Sequence, residues 1–266
     1  LWRKMAEIPG RKINNNTSVF MLSEQDKENL YNEWHKGLGA VQHNFDTLDH
    51  PWYQTVMKIL PDLQGKRILE IGAGRGDFSI WLAKKFNTAQ VVGTDFSHTA
   101  IEIAKSKLDS SLHNLTFQVE NAESLSFAND TFDYIISCET MEHVFHPQQM
   151  ASEMQRVLKK RGGFILTTEN YFNAMILMWL KTWITGKPFD SGSGVQPHEN
   201  FFTFFHIKKY FRKAGLELIH TESNHFQFLL LPGFAPSKFC VKDFNSGFLK
   251  SIFKPFGRHF TYQGKK

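Results

Sequence analysis

Residues 67 to 76, Arg-Ile-Leu-Glu-Ile-Gly-Ala-Gly-Arg-Gly, constrain the fold more than any other stretch of the chain. A short apolar strand runs straight into three closely spaced glycines, and an amphipathic helix follows from about Asp77. A parallel α/β sheet builds its ligand crevice in this way, because the turn lies at the carboxyl end of a strand. Gly72, Gly74 and Gly76 let the backbone turn sharply and approach a ligand, and the helix presents unpaired N–H groups at its start. The spacing then selects among nucleotides. A dinucleotide turn of the form GxGxxG needs glycine at position 77, where this chain has Asp77. Glu70, a carboxylate inside the strand, would repel a pyrophosphate and suits a cationic, amine-bearing ligand better.

A second acid sharpens the reading. Val91-Val92-Gly93-Thr94-Asp95-Phe96-Ser97 has the pattern of a buried strand ending in a carboxylate 23 residues after Gly72, a distance at which an acid grips ribose hydroxyls. With these residues the chain resembles the class I S-adenosylmethionine methyltransferases, whose ExGxGxG turn matches Glu70, Gly72, Gly74 and Gly76, and whose ribose acid matches Asp95. Residues 117 to 127 resemble the adenine-contacting loop of that family. Residues 132 to 144 resemble its fourth strand and the start of the next helix, and residues 158 to 163 the glycine turn before its fifth strand. The resemblance covers roughly residues 60 to 172 and is specific because four motifs occur in order.

The resemblance implies an α/β, Rossmann-like, doubly wound sheet of seven mostly parallel strands, with S-adenosylmethionine as cofactor and S-adenosylhomocysteine as product. It implies that Glu70, Gly72, Ala73, Gly74 and Gly76 form the turn beneath the cofactor, and that Asp95 and Phe96 meet its ribose side. Asn121, Ala122 and Glu123 would meet the adenine, with Cys138 at the end of the fourth strand. Asn121 stands where the family often has Asp, and its carbonyl oxygen can still pair with an exocyclic amine.

Residues 1 to 59 show no strand alternation. Ser23 to Asp26 read as a capping box that opens a helix through about Lys36, and Trp34 to Tyr53 mix rings, imidazoles and acids as a helical lid would. The methyltransferase core is expected from residue 60 to 266, with an insertion at about 170 to 206 after the fifth strand. That insertion holds an apolar helix at 174 to 184, a glycine-rich run at 186 to 194 and the segment Gln196-Pro197-His198-Glu199-Asn200. Loops at that edge of a parallel sheet cover the crevice, so the insertion is the expected acceptor cover. More than half of the 26 phenylalanines follow residue 200; many of these must fill the core, and the excess suggests an apolar acceptor channel.

The composition sets bounds on these readings. No apolar run approaches the roughly 18 residues that span a bilayer. Two cysteines, Cys138 and Cys240, provide neither a disulfide framework nor a cysteine zinc site, and a reducing cytoplasm is the simplest setting. The net charge of +5 suits a solvated surface or an acidic partner such as a carrier protein. The chain begins at Leu1, which leaves open a trimmed terminus or a domain of a larger polypeptide. Basic residues are not interleaved with aromatics in one module, so nucleic acid is not the expected partner.

Methyl transfer from a sulfonium is an in-line displacement, and a hydroxyl acceptor also needs a base. His143, just beyond the fourth strand beside Glu139 and Glu142, is the first candidate. His198 and Glu199 on the expected lid form a second group, since a carboxylate orients an imidazole and raises its pKa. The histidines lack the spacing of a metal site, and no metal is expected. The leading expectation is O-methylation of a small, apolar or carrier-tethered acceptor of the polyketide kind. A C- or N-methyltransferase acting on a quinone, sterol or sugar stays open, as does a module that binds S-adenosylmethionine without turnover.

Overall fold

A computed structural model describes residues 22–41, 48–172, 183, 184, 186, 197–227, 240, 241 and 247–266. Its centre is one sheet. The strands are β1 (Arg67–Ile71), β2 (Gln90–Asp95), β3 (Leu115–Val119), β4 (Phe132–Cys138), β5 (Leu158–Glu169), β6 (Glu217–Gln227), β7 (Cys240–Val241) and β8 (Gly257–Lys265). Their order is β3-β2-β1-β4-β5-β8-β6-β7. The seven longer strands make up the expected sheet, and the two-residue β7 extends its edge. β1 to β5 pair in parallel, whereas β8 runs antiparallel between β5 and β6.

Helices α1 (Glu24–Val41), α2 (Pro51–Ile59), α3 (Asp77–Lys85), α4 (His98–Ser106), α5 (Pro147–Val157), α6 (Phe204–Ala214) and α7 (Gly247–Phe253) complete the described fold. Strand alternation divides the core between the two faces. Leu69, Ile135 and Phe164 pack with Met150 and Met154 of α5 and Ile207 and Phe211 of α6. Their neighbours Ile68, Ile136 and Ile165 pack with Val56 of α2, Leu82 of α3 and Ile101 of α4. This three-layer arrangement explains why β1 and β4 read as near-continuous apolar runs, as strands covered on both faces do.

Ser23 opens α1 as its sequence suggests: its Oγ accepts from the Asp26 N–H at 3.1 Å and donates to the Asp26 carboxylate at 2.8 Å. The helix runs on to Val41, beyond the expected end near Lys36. The glycine turn expected at 158 to 163 lies instead inside β5, where Arg161 takes φ +63 and the pairing with β4 shifts register between Phe132 and Tyr134. The helix expected at 174 to 184 and the run 186 to 194 fall almost wholly outside the described residues.

Four of the phenylalanines after residue 200 fill the core, as many of them were expected to. Phe202, Phe204, Phe211 and Phe260 are buried in the core around α6 and β8 and do not line the cavity at the sheet edge. β8 needs a covered face as it crosses between β5 and β6, and these rings supply it.

Candidate active site

The carboxyl ends of β1, β2 and β4 open into a cavity over which α1 passes. After β1 the backbone turns at once, and the N–H groups of Gly72 and Ala73 both donate to the Thr94 carbonyl at 2.8 Å. Gly72 has φ +78, and a Cβ there would stand 2.1 Å from Thr140 Oγ1, so both conformation and space require glycine. Gly74 has φ +53, yet nothing lies within 4 Å of where its Cβ would stand. Its missing side chain leaves room for a ligand. Asp95 at the end of β2 accepts from the Gly74 N–H with Oδ2 and from the Ser97 N–H with Oδ1, both at 2.9 Å. The carboxylate is thereby fixed at the cavity wall with lone pairs to spare.

Two residues expected at the turn lie off the cavity. Gly76 caps α3. Glu70 is fully buried beneath the turn, where its Oε2 accepts from the Ser79 hydroxyl. Burial pushes the Glu70 carboxyl up to about 8. Ala73, Phe96, Asn121, Ala122, Glu123 and Cys138 all line the cavity. Asn121 Oδ1 accepts from the Glu123 N–H at 2.9 Å while its amide donates to Glu24 of α1 at 2.8 Å. Glu123 is tied in turn to the N–H groups of Phe145 and His146.

Six rings of the N-terminal segment form a further part of the wall. Tyr31, Trp34 and His35 of α1 line the cavity together with His50, Trp52 and Tyr53 at the start of α2. His50 stacks on Trp52 with ring centroids 4.3 Å apart. The Tyr31 hydroxyl donates to the His143 carbonyl at 2.7 Å, and Arg75 Nη2 donates to the His35 carbonyl at 2.8 Å. Asn32 Oδ1 accepts from Ser97 Oγ at 2.8 Å and from the Thr99 N–H at 3.0 Å, which latches α1 onto the start of α4.

His143 lies in a 3₁₀ turn, Met141–His143, and lines the cavity. Its Nδ1 stands 2.8 Å from the His198 carbonyl oxygen. A carbonyl can only accept, so Nδ1 carries the hydrogen and Nε2 of the neutral ring keeps its lone pair. His198 therefore reaches His143 through its backbone. Its own ring stacks on Phe145 at 4.7 Å and is not part of the cavity wall, and burial together with His143 lowers its pKa to about 4. Glu199 is also off the wall, with its Oε1 2.5 Å from the Tyr171 hydroxyl. The expected pair is separated by chain direction. Asn200 bonds the carbonyls of Glu142 and Val144, which holds 198 to 200 against the 3₁₀ turn and not over the cavity.

Glu139 and His259 carried no expected role. Glu139 lines the cavity with a backbone φ of +49. Its carboxyl is raised to about 8 by burial and then by Glu169. His259, about 120 residues further on, brings Nδ1 within 3.5 Å of Glu139 Oε2 and its ring to 5.7 Å from Trp52. Nothing local in the sequence announces this meeting, because it depends on the antiparallel placement of β8 beside β5.

Comparison with known proteins agrees with this geometry. The profile of the methyltransferase domain family matches residues 62–195. The ubiquinone biosynthesis O-methyltransferase of Coxiella burnetii (strain RSA 493 / Nine Mile phase I) is 34% identical over 108 residues, which are 41% of this chain and 45% of that protein. The ubiquinone/menaquinone biosynthesis C-methyltransferase UbiE of Geobacter sulfurreducens is 28% identical over 122 residues, 45% of this chain and 48% of the relative. The match thus spans about half the length of these curated relatives. The putative methyltransferase solved with the Haloferax volcanii Trm112 methyltransferase activator shares the fold, with a TM-score of 0.60 and 19% identity over 91% of this chain and 97% of that one. The glycine turn closed by Asp95, the doubly wound sheet and the profile match converge on a fold shared with solved S-adenosylmethionine-dependent methyltransferases, and the chain belongs to the methyltransferase domain family.

Proposed function

We propose that the chain transfers a methyl group to a hydroxyl of a flat, apolar small molecule of the quinol type, with His143 accepting the proton. The observation that carries this reading is one cavity that holds the glycine turn and Asp95, a wall of rings from Trp34, His50, Trp52 and Tyr53, and His143. S-adenosylmethionine, when bound, supplies a methyl on a positively charged sulfur that is open to in-line displacement. The residues fit that cofactor. Gly74 leaves space over the turn, Asp95 would hold the ribose hydroxyls, and Asn121 and Ala122 would meet the adenine. The rings would hold a planar acceptor by stacking and exclude water. His143 Nε2 would take the hydroxyl proton as the new bond forms, while the His198 carbonyl keeps the ring in the required tautomer.

The name of the Coxiella relative supports O-methylation and that of the Geobacter relative supports C-methylation, so both stay within one experiment. The protein is incubated with S-adenosylmethionine and either catechols, hydroquinones, or a β-hydroxyacyl group on a carrier protein. Mass spectrometry follows the gain of one methylene unit, and NMR locates it. Methylation of a ring hydroxyl is the expected outcome. Methyl on a ring carbon would replace this reading with C-methylation, and turnover on the carrier alone would restore the polyketide-like acceptor. Tight cofactor binding without turnover on any of them would favour a binding module.

A further inference from the structure

We propose that Glu139, Glu169 and His259 form a divalent-cation site set into the wall of the cavity. One ligating atom from each lies within 4.8 Å of the others, the only such three-residue group among the described residues. Three separate strands bring them together. Glu139 follows β4, Glu169 ends β5, and His259 stands in β8 directly opposite Glu169 in the antiparallel register. The Glu139 N–H donates to the Thr167 carbonyl at 3.1 Å, which ties the third ligand to the same strand end.

One carboxylate oxygen placed there is left without a hydrogen bond. Glu139 Oε1 is buried without a hydrogen-bond partner, and Oε2 faces His259 Nδ1 at 3.5 Å. Arg258 neutralises one side of Glu169 at 2.9 Å. On the other side the Tyr171 hydroxyl lies 2.6 Å from Glu169 Oε2 and 2.5 Å from Glu199 Oε1, and its one hydrogen cannot serve both carboxylates. Two carboxylate oxygens and an imidazole nitrogen suit a first-row divalent ion such as Mn²⁺ or Zn²⁺ better than Ca²⁺. Around a tetrahedral ion at about 2.1 Å, ligand atoms stand roughly 3.4 Å apart, so the three groups would close by up to about 1 Å each.

Glu139 is also part of the cavity wall, which puts the cation within reach of an acceptor in the cavity. A hydroxyl bound to it would lose its proton more readily. That role rests on the proposed O-methylation, whereas the site itself does not.

The test uses the whole chain, stripped with a chelator and titrated with Mn²⁺, with the decrease of the free Mn²⁺ EPR signal as the readout. One ion should bind, and Glu139→Gln and His259→Gln should each weaken it about 10-fold or more. Circular dichroism and thermal unfolding confirm that the variants are folded, and Glu139→Gln alone suffices if His259→Gln does not fold. No binding up to millimolar Mn²⁺, or binding that both variants retain, would overturn the site. Chelator-insensitive methylation without Mn²⁺ binding would sink the site and spare the function, and Mn²⁺ binding without methylation of any acceptor would do the reverse.

Discussion

Asp95 uses one carboxylate for two tasks, closing the glycine turn through Gly74 and facing the cavity. Asp95→Ala should weaken S-adenosylmethionine binding by about 1.5 to 3 kcal/mol, the scale of hydrogen bonds to a charged group, and calorimetry showing unchanged affinity would remove Asp95 from the site. His143 differs because its ring is oriented by a carbonyl and its proposed work concerns only the acceptor's proton. His143→Gln should lower turnover by about 10²- to 10⁴-fold and leave cofactor affinity nearly intact. Near-normal turnover in that variant would point to an acceptor that needs no histidine base. The position of His143 was legible in the sequence from the end of β4, but its partner was not. The His198 carbonyl arrives through a chain segment 55 residues away, held by Asn200, and side-chain chemistry alone does not reveal a backbone acceptor.

At the scale of elements, α1 closes the site through side-chain ties. It is held by the Asn32 latch to α4, by Tyr31 on His143, by Arg75 on the His35 carbonyl and by Asn121 on Glu24. A helix tied by a few side-chain bonds opens more readily than one packed into the core. Asn32→Ala removes the acceptor of two of these bonds and should raise hydrogen exchange across residues 24 to 41, with a loss of about 1 to 2 kcal/mol in local protection. Added S-adenosylmethionine should slow exchange there in the native protein. Equal exchange in variant and native chains, with and without cofactor, would show that α1 is a fixed wall.

The stability of the whole molecule carries the cost of Glu70. Its carboxyl moves from an ordinary value of 4.5 to about 8 because it is buried, and the Ser79 hydroxyl offsets that only in part. Between these values the folded chain keeps a proton that the unfolded chain has released. Stability therefore falls as pH rises from about 4.5 to about 8 and levels above it. Glu70→Gln keeps an oxygen for Ser79 and cannot ionise, so relative to the native chain it should gain roughly 3 to 5 kcal/mol between pH 5 and pH 8. Urea unfolding at the two pH values measures this. A native-minus-variant difference that stays constant with pH would show that Glu70 is charged in the folded state.

The sequence by itself determined the strand-turn-helix at 67 to 85, the acid at the end of β2 and the order of elements around them, because each depends on local periodicity and on glycine's freedom at positive φ. Tertiary structure alone decided what each buried carboxylate and imidazole faces. Alternation along β1 directs Glu70 beneath the turn, and Phe202, Phe204, Phe211 and Phe260 became core because β8 had to be covered. Glu139 met His259 only because an antiparallel strand inserts beside β5 and sets residue 259 opposite residue 169. Such contacts follow from register between distant strands, which the spacing of residues along one chain does not encode.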